Sequence, residues 1–192
     1  MSYLIGSAEI GTKVLNDPAL RATYLEAEHK GVKVLLLFTT QPWNEHTTHK
    51  AIRLRDDLRG LCIRFASPTI RDFVAALGAT PVAVPPNEQG EQLQKGTIDG
   101  VCIDYGGAGI AFKMGGIVNY STEMYAYVSS FGLAMNEDFW TRLPPDLKSL
   151  VMQSVTGVET KLGQAWDASD SPSKQALMGG GARGVPQDRR GG

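Results

Sequence analysis

Between Gly60 and Asp104 the apolar residues switch repeatedly between short continuous runs and a three-to-four-residue period, with Gly, Pro, Ser or Asn at the switches. The pattern predicts strand (Gly60–Phe65), helix (Pro68–Leu77), strand (Thr80–Val84), helix (Glu88–Lys95) and strand (Thr97–Asp104). Ser67 is placed to cap a helix whose first residue, Pro68, lacks the amide hydrogen that a helix start leaves unpaired, and Gly78 closes it. Asn87 is expected to cap the next helix, with Glu88 and Glu91 against the positive end of its dipole and Gly96 as its stop. This is a βαβαβ unit. Its crossovers require parallel strands, so the loops at their carboxyl ends share one rim, where open α/β sheets bind ligands. Arg64 falls on that rim.

The flanking pattern supplies further elements. Asp17-Pro18 starts a helix with Leu20, Tyr24, Leu25 and Ala27 at helical spacing and Gly31 as the stop. Val32–Phe38 is almost wholly apolar, as a strand covered on both faces requires, and is expected to join the parallel sheet. Gln41–His49 reads as a polar loop around Trp43, and Gly106–Gly116 as a small-residue stretch with a weak helical core at Ala108–Met114. Tyr125–Met135 alternates as a strand does, and Asn136 is placed to cap a short helix through Arg142. From Pro144-Pro145-Asp146, apolar residues from Leu147 to Trp166 recur at three- and four-residue steps, predicting one long core-facing helix. Past Met178 the chain is dense in Gly and Arg and reads as a disordered tail.

Composition narrows the function classes. A formal charge of -1 over 192 residues, with no run of like charge, argues against a nucleic-acid footprint or a membrane-surface patch. No apolar run reaches the ~18 residues of a membrane span. Cys62 and Cys102 lie on separate predicted strands and are expected to be free thiols. His29, His46 and His49 have neither a nucleophile beside them nor a Cys/His spacing for zinc, so no metal or cofactor is expected.

Four motifs in order, Asp57-Leu58-Arg59-Gly60-Leu61-Cys62-Ile63-Arg64, then Leu77-Gly78-Ala79-Thr80-Pro81-Val82, Glu88, and Leu93-Gln94-Lys95-Gly96-Thr97-Ile98-Asp99-Gly100, resemble the solute-binding receptors of TRAP (tripartite ATP-independent periplasmic) transporters, dicarboxylate-receptor type. Asn136-Glu137-Asp138-Phe139-Trp140-Thr141-Arg142-Leu143-Pro144 resembles a later segment of that family, and the likeness spans roughly Ser7 to Met178. The resemblance implies an α/β fold of two lobes joined by a hinge around a cleft, with the first lobe incomplete. It also implies a periplasmic receptor, not an enzyme, that binds a small organic acid and delivers it to membrane subunits. The start Met1–Gly11 does not read as a signal peptide, so the chain is expected to correspond to about the last two-thirds of such a receptor.

In the family, the arginine ending the first motif holds the ligand's carboxylate, and Arg64 is the matching position. A second basic residue of some relatives has no clear counterpart near Trp43, Asn44, His46 and His49. Asp104, Tyr105, Tyr127 and Trp43 are the further ligand-binding candidates: strand-end or loop positions offering a carboxylate or an aromatic wall. Expected segments are residues 1–60 (first-lobe remnant), 61–135 (second-lobe core and return strand), 136–178 (bracing helix) and 179–192 (tail), with a homodimer possible through the exposed first-lobe strand. The competing class is an α/β enzyme with Asp99 or Asp104 as base and Arg64 as anchor, and a truncated remnant that binds nothing also stays open. The lack of a nucleophile–base pair, phosphate loop or metal set favours the binding module.

Overall fold

The computed structural model describes residues 5–185. Its strands are β1 (Val32–Thr39), β2 (Asn44–Thr47), β3 (Cys62–Phe65), β4 (Thr80–Ala83), β5 (Gly100–Ile103), β6 (Tyr120–Thr122), β7 (Ser130–Asn136) and β8 (Arg183–Val185). Its α-helices are α1 (Ala8–Leu15), α2 (Pro18–Leu20), α3 (Pro68–Ala76), α4 (Gln89–Gln94), α5 (Glu137–Arg142), α6 (Pro145–Val155), α7 (Val158–Ala168) and α8 (Asp170–Gly179). The chain divides into two compact units: Met1–Pro42 with Tyr127–Ala168, and Trp43–Ala126 with Ser169–Gly192. The grouping follows the pairing: β2 lies within the large sheet, while β7 pairs with β1. We call the two units the small-sheet unit and the large-sheet unit.

In the small-sheet unit, β1 pairs antiparallel with β7 from Val32↔Asn136 to Thr39↔Ser130. The expectation that Val32–Phe38 joins the parallel sheet is therefore corrected: an apolar run specifies burial, not partner. Leu36 and Leu37 are buried, and Phe38 stacks on Phe131 with centroids 5.6 Å apart. The strand expected over Tyr125–Met135 starts only at Ser130 and runs to Asn136, whose side chain then caps α5 by accepting from the Phe139 amide at 2.9 Å. Asp167 of α7 accepts the Ala8 and Glu9 amides at 2.7 and 2.9 Å, satisfying two donors at the start of α1. The single long helix is also corrected. Gly157 has φ +75, a left-handed conformation that separates α6 from α7, although the apolar period runs through the break.

The large-sheet unit is built on a six-stranded sheet in the order β4-β3-β5-β2-β6-β8. β3 pairs parallel with both β4 and β5, as the βαβαβ pattern requires. Ser67 caps α3 as expected, accepting from the Ile70 amide. Asn87 does not cap α4: Glu88 takes that position without a side-chain bond. Gln41–His49, expected as a loop, contains β2, an interior strand antiparallel to β5 and β6 and buried at all four positions. The tail expected from residue 179 is ordered through β8, which pairs parallel with β6; residues 186–192 lie outside the described residues.

The core of this unit lies among Leu93, Ile98, Val101, Ile103, Met114, Val118 and Leu177. Its last wall, α8, rests directly on the π-helical turn Gly106–Ala111. The glycines there have a spatial reason: a Cβ at Gly109 would stand 2.4 Å from the Ser173 carbonyl oxygen. Since the Ser173 oxygen belongs to backbone and cannot swing aside as a flexible side chain would, Gly109→Ala should push α8 outward and cost about 1–3 kcal/mol, as overpacking does. Urea unfolding followed by circular dichroism measures it, and an unchanged midpoint would show that α8 tolerates the shift.

Candidate functional site

The carboxyl ends of β3, β4 and β5 and the start of antiparallel β2 lie at one edge of the large sheet, as their registers dictate. Arg64 stands there, in register with Val82 and Val101. It is 4% exposed, and its Nε donates to the Val84 carbonyl at 3.1 Å. That is its only hydrogen bond among the described residues, and no acid there forms an ion pair with it. Burial draws its pKa below the usual arginine value, yet a guanidinium stays charged throughout the working range. The edge therefore carries one buried positive charge with donors to spare.

The other candidates are placed as follows. Trp43 is buried at the entry to β2, where its carbonyl accepts the Ala126 amide at 3.2 Å. Tyr105 is buried just past β5, edge-on to the His46 ring at 5.2 Å, with the Lys174 Nζ 4.7 Å from its own ring centre. Asp104 is buried beside it, but one carboxylate oxygen accepts the Gly107 amide at 2.8 Å and holds the following π-helical turn. Burial raises its pKa to about 6, against the pull of the backbone amides. Asp99, the other base of the enzyme reading, accepts the Cys62 amide at 2.7 Å. Both carboxylates are thus engaged by backbone. Tyr127 belongs to the small-sheet unit.

Asn44 and His46, which the sequence places near the unmatched basic position, and Glu45, which it did not single out, all lie buried on β2. The Asn44 Oδ1 accepts the Met124 amide at 3.0 Å and so fixes the turn in which Tyr125 takes φ +48. His46 meets the Ser121 hydroxyl through Nδ1 at 2.8 Å, while Nε2 is sheltered without a hydrogen-bond partner. Burial lowers its pKa to about 4, with the Ile103 backbone opposing slightly. Glu45 is 3% exposed, and burial alone raises its carboxyl to about 8. A usable signal was present: no Gly or Pro interrupts Trp43–Arg59, which is unusual for a loop of that length.

A second polar cluster fixes the edge. Lys174 of α8 bridges Glu123 at 2.9 Å and Asp170 at 3.1 Å, and Glu123 also accepts from the Tyr125 hydroxyl at 3.2 Å. Cys62 and Cys102 are both free, as expected. Among the described residues no group of three or more His, Cys, Asp or Glu is placed to hold a metal ion.

The buried pair on β2 sets a pH dependence of stability. Unfolding moves the Glu45 pKa from about 8 to 4.5, so the folded state keeps a proton the unfolded state releases, and stability falls as pH rises between those values. His46 has the opposite sign: its folded pKa near 4 lies below its usual 6.5, so stability is lost as pH falls through that window. From pH 6.5 to 8 Glu45 acts without His46, lowering stability by roughly 2 kcal/mol. Glu45→Gln should flatten this stretch of the stability–pH curve in urea titrations, and curves that stay parallel to wild type would place the proton elsewhere.

Comparison with known proteins agrees with this architecture. The family model for DctP, described as bacterial extracellular solute-binding protein, family 7, matches residues 1–188. The C4-dicarboxylate-binding periplasmic protein DctP of Rhodobacter capsulatus is 23% identical over 176 residues, 91% of this chain and 50% of the relative. A marine metagenome TRAP solute binding protein specific for aromatic acid ligands, from an unidentified microbe and solved with metahydroxyphenylacetate, superposes with TM-score 0.88 at 25% identity over 99% of this chain and 60% of its own. A TRAP periplasmic solute binding protein of Bordetella bronchiseptica, solved with both mandelate enantiomers, gives TM-score 0.85 at 27% identity over 98% and 61%. The chain thus spans half to three-fifths of these relatives' lengths. With the family match running from Met1 into the tail and the α/β fold shared with these receptors, the chain belongs to family 7 of the bacterial extracellular solute-binding proteins, the DctP family.

Proposed function

We propose that the large-sheet unit carries the carboxylate-binding element of a TRAP-type receptor: Arg64 grips a small organic acid, and the whole receptor hands it to the transporter's membrane subunits outside the cytoplasm. The observation that carries this reading is the buried guanidinium of Arg64, anchored through Nε alone and without an acidic partner among the described residues. A carboxylate meets such a fork with charge-assisted, bidentate hydrogen bonds. Trp43 and Tyr105 supply apolar walls beside it. Asp104 serves the backbone, and Tyr127 enters no part of the reading. The relatives solved with aromatic acids and the relative named for C4-dicarboxylates define the panel to try: metahydroxyphenylacetate, mandelate and succinate.

Among the described residues no helix is long and apolar enough to cross a membrane, which fits a receptor that meets its membrane partners at a surface. The same reading includes self-association. Among the described residues the β1–β7 sheet has two strands, and Phe131 and Leu133 are 48% and 49% exposed, so a second copy can add there. Sedimentation velocity should show a dimer that grows with concentration, and a monomer at every concentration would remove this part of the proposal.

For the central claim, calorimetric titration of the panel against wild type and Arg64 variants is decisive. Arg64→Ala should weaken the best ligand by about 3 kcal/mol, or over about a hundredfold. Arg64→Lys should fall between, since it keeps the charge and loses the fork. Equal affinity in wild type and Arg64→Ala would mean that the carboxylate is held elsewhere.

A further inference from the structure

The edge of the large sheet opposite Arg64 carries a polar pocket that the carboxylate reading leaves unused. Thr47, the last residue of β2, pairs with Gly100, the first of β5. Thr47 also pairs with Tyr120, and Tyr120 with Arg183, so the end of β2 and the starts of β6 and β8 lie side by side there. Paired residues on neighbouring strands present their side chains to one face, which holds for Tyr120 and Arg183. Thr48, His49, Asn119, Tyr120, Gly181 and Arg183 line a pocket of about 330 Å³ within the large-sheet unit. That is the small end of the ~300–1,000 Å³ range of ligand sites.

Asn119 fixes the frame. Its backbone amide donates to the Thr47 carbonyl at 2.9 Å, its carbonyl accepts the Arg183 amide at 2.8 Å, and its side-chain Nδ2 donates to the Thr48 carbonyl. Gly181, at φ +101, makes the turn between α8 and β8, and a Cβ there would meet nothing within 4 Å. None of the six lining residues is acidic, and two of them are basic. His49 is already engaged: its Nδ1 lies 3.0 Å from the Thr48 hydroxyl, and its Nε2 stands 3.5 Å from Asp99, whose other oxygen accepts the Cys62 amide. The side chains of Arg183 and Tyr120 have neither a hydrogen bond nor an ion pair among the described residues.

We infer that this pocket is a second binding site, for a small hydroxylated oxyanion: the Arg183 guanidinium takes its carboxylate or phosphate, and the Tyr120 hydroxyl bonds the same group or a hydroxyl beside it. A guanidinium fork matches both kinds of anion with parallel, charge-assisted bonds, and a phenol can donate as well as accept. The site stands apart from Arg64, so anions at the two edges of the sheet do not compete.

The test is nitrogen-15 NMR of the full chain at constant ionic strength, with glycerol 3-phosphate and glycerate as probes and glycerol and chloride as controls. The amide signals of Thr48, Asn119, Tyr120, Gly181 and Arg183 should shift saturably with one midpoint of about 1 mM, the size of two charge-assisted hydrogen bonds. Whichever probe saturates at the lower concentration identifies the anionic group, and the controls should leave these signals in place. Arg183→Gln should raise the midpoint about tenfold or more, and Tyr120→Phe about fivefold, with the rest of the spectrum unchanged as the check on folding. Arg64→Ala should leave the midpoint where it was. Shifts that grow without saturating, or an equal midpoint in Arg183→Gln, overturn this site while the carboxylate reading of Arg64 stands. Loss of the saturable shifts in Arg64→Ala overturns it too, since the anion would then be held at the other edge.

Discussion

A guanidinium removed from water and left without an acid is the constraint around which the large-sheet unit is arranged. Among the described residues no acid pairs with Arg64: its side chain is tied down through Nε to the Val84 carbonyl just past β4. Holding a charge that way demands a rigid frame, because a loose one would relax the group into solvent. The frame is the parallel triplet β4-β3-β5, with β2 locked beside it by two antiparallel ladders.

The polar strand β2 shows how an interior position can carry chemistry. Asn44 and His46 have definite partners, in the turn after β6 and in Ser121, and these tie the strand's start to its neighbours. Glu45 has none. Around this edge Asp104 holds the turn after β5, and the Lys174–Glu123–Asp170 cluster ties α8 to the segment after β6. The acids near the edge are thus divided between those that are structurally engaged and one that is not.

Much of this was legible in the sequence where local chemistry decides structure. Ser67-Pro68, Gly78 and Gly96 marked the central βαβαβ unit, and the motif ending at Arg64 marked both the edge and the family. Where partners distant in sequence decide, local pattern failed. Val32–Phe38 was apolar enough for any sheet, and only contact with β7 selects the one it joins. Gln41–His49 looked like a loop because its residues are polar, yet β5 and β6 satisfy its backbone on both sides and its side chains are sheltered. The apolar period running into Trp166 concealed a break set by one glycine. Among the site candidates, Arg64, Trp43, Asp104 and Tyr105 do share the edge, while Tyr127 lies in the other unit. Glu45 left no trace in the pattern, since its interest arises only from being buried.

The central claim is that a ligand's carboxylate completes the hydrogen bonding of Arg64. Nitrogen-15 NMR of the arginine side chains reads this directly: on adding mandelate, the Arg64 Nη protons should slow in exchange, sharpen and shift saturably, with the same midpoint as calorimetry. If mandelate binds with measurable heat while the Arg64 side-chain signals stay where they were, the guanidinium is not the group that holds the acid, and the account fails at its foundation.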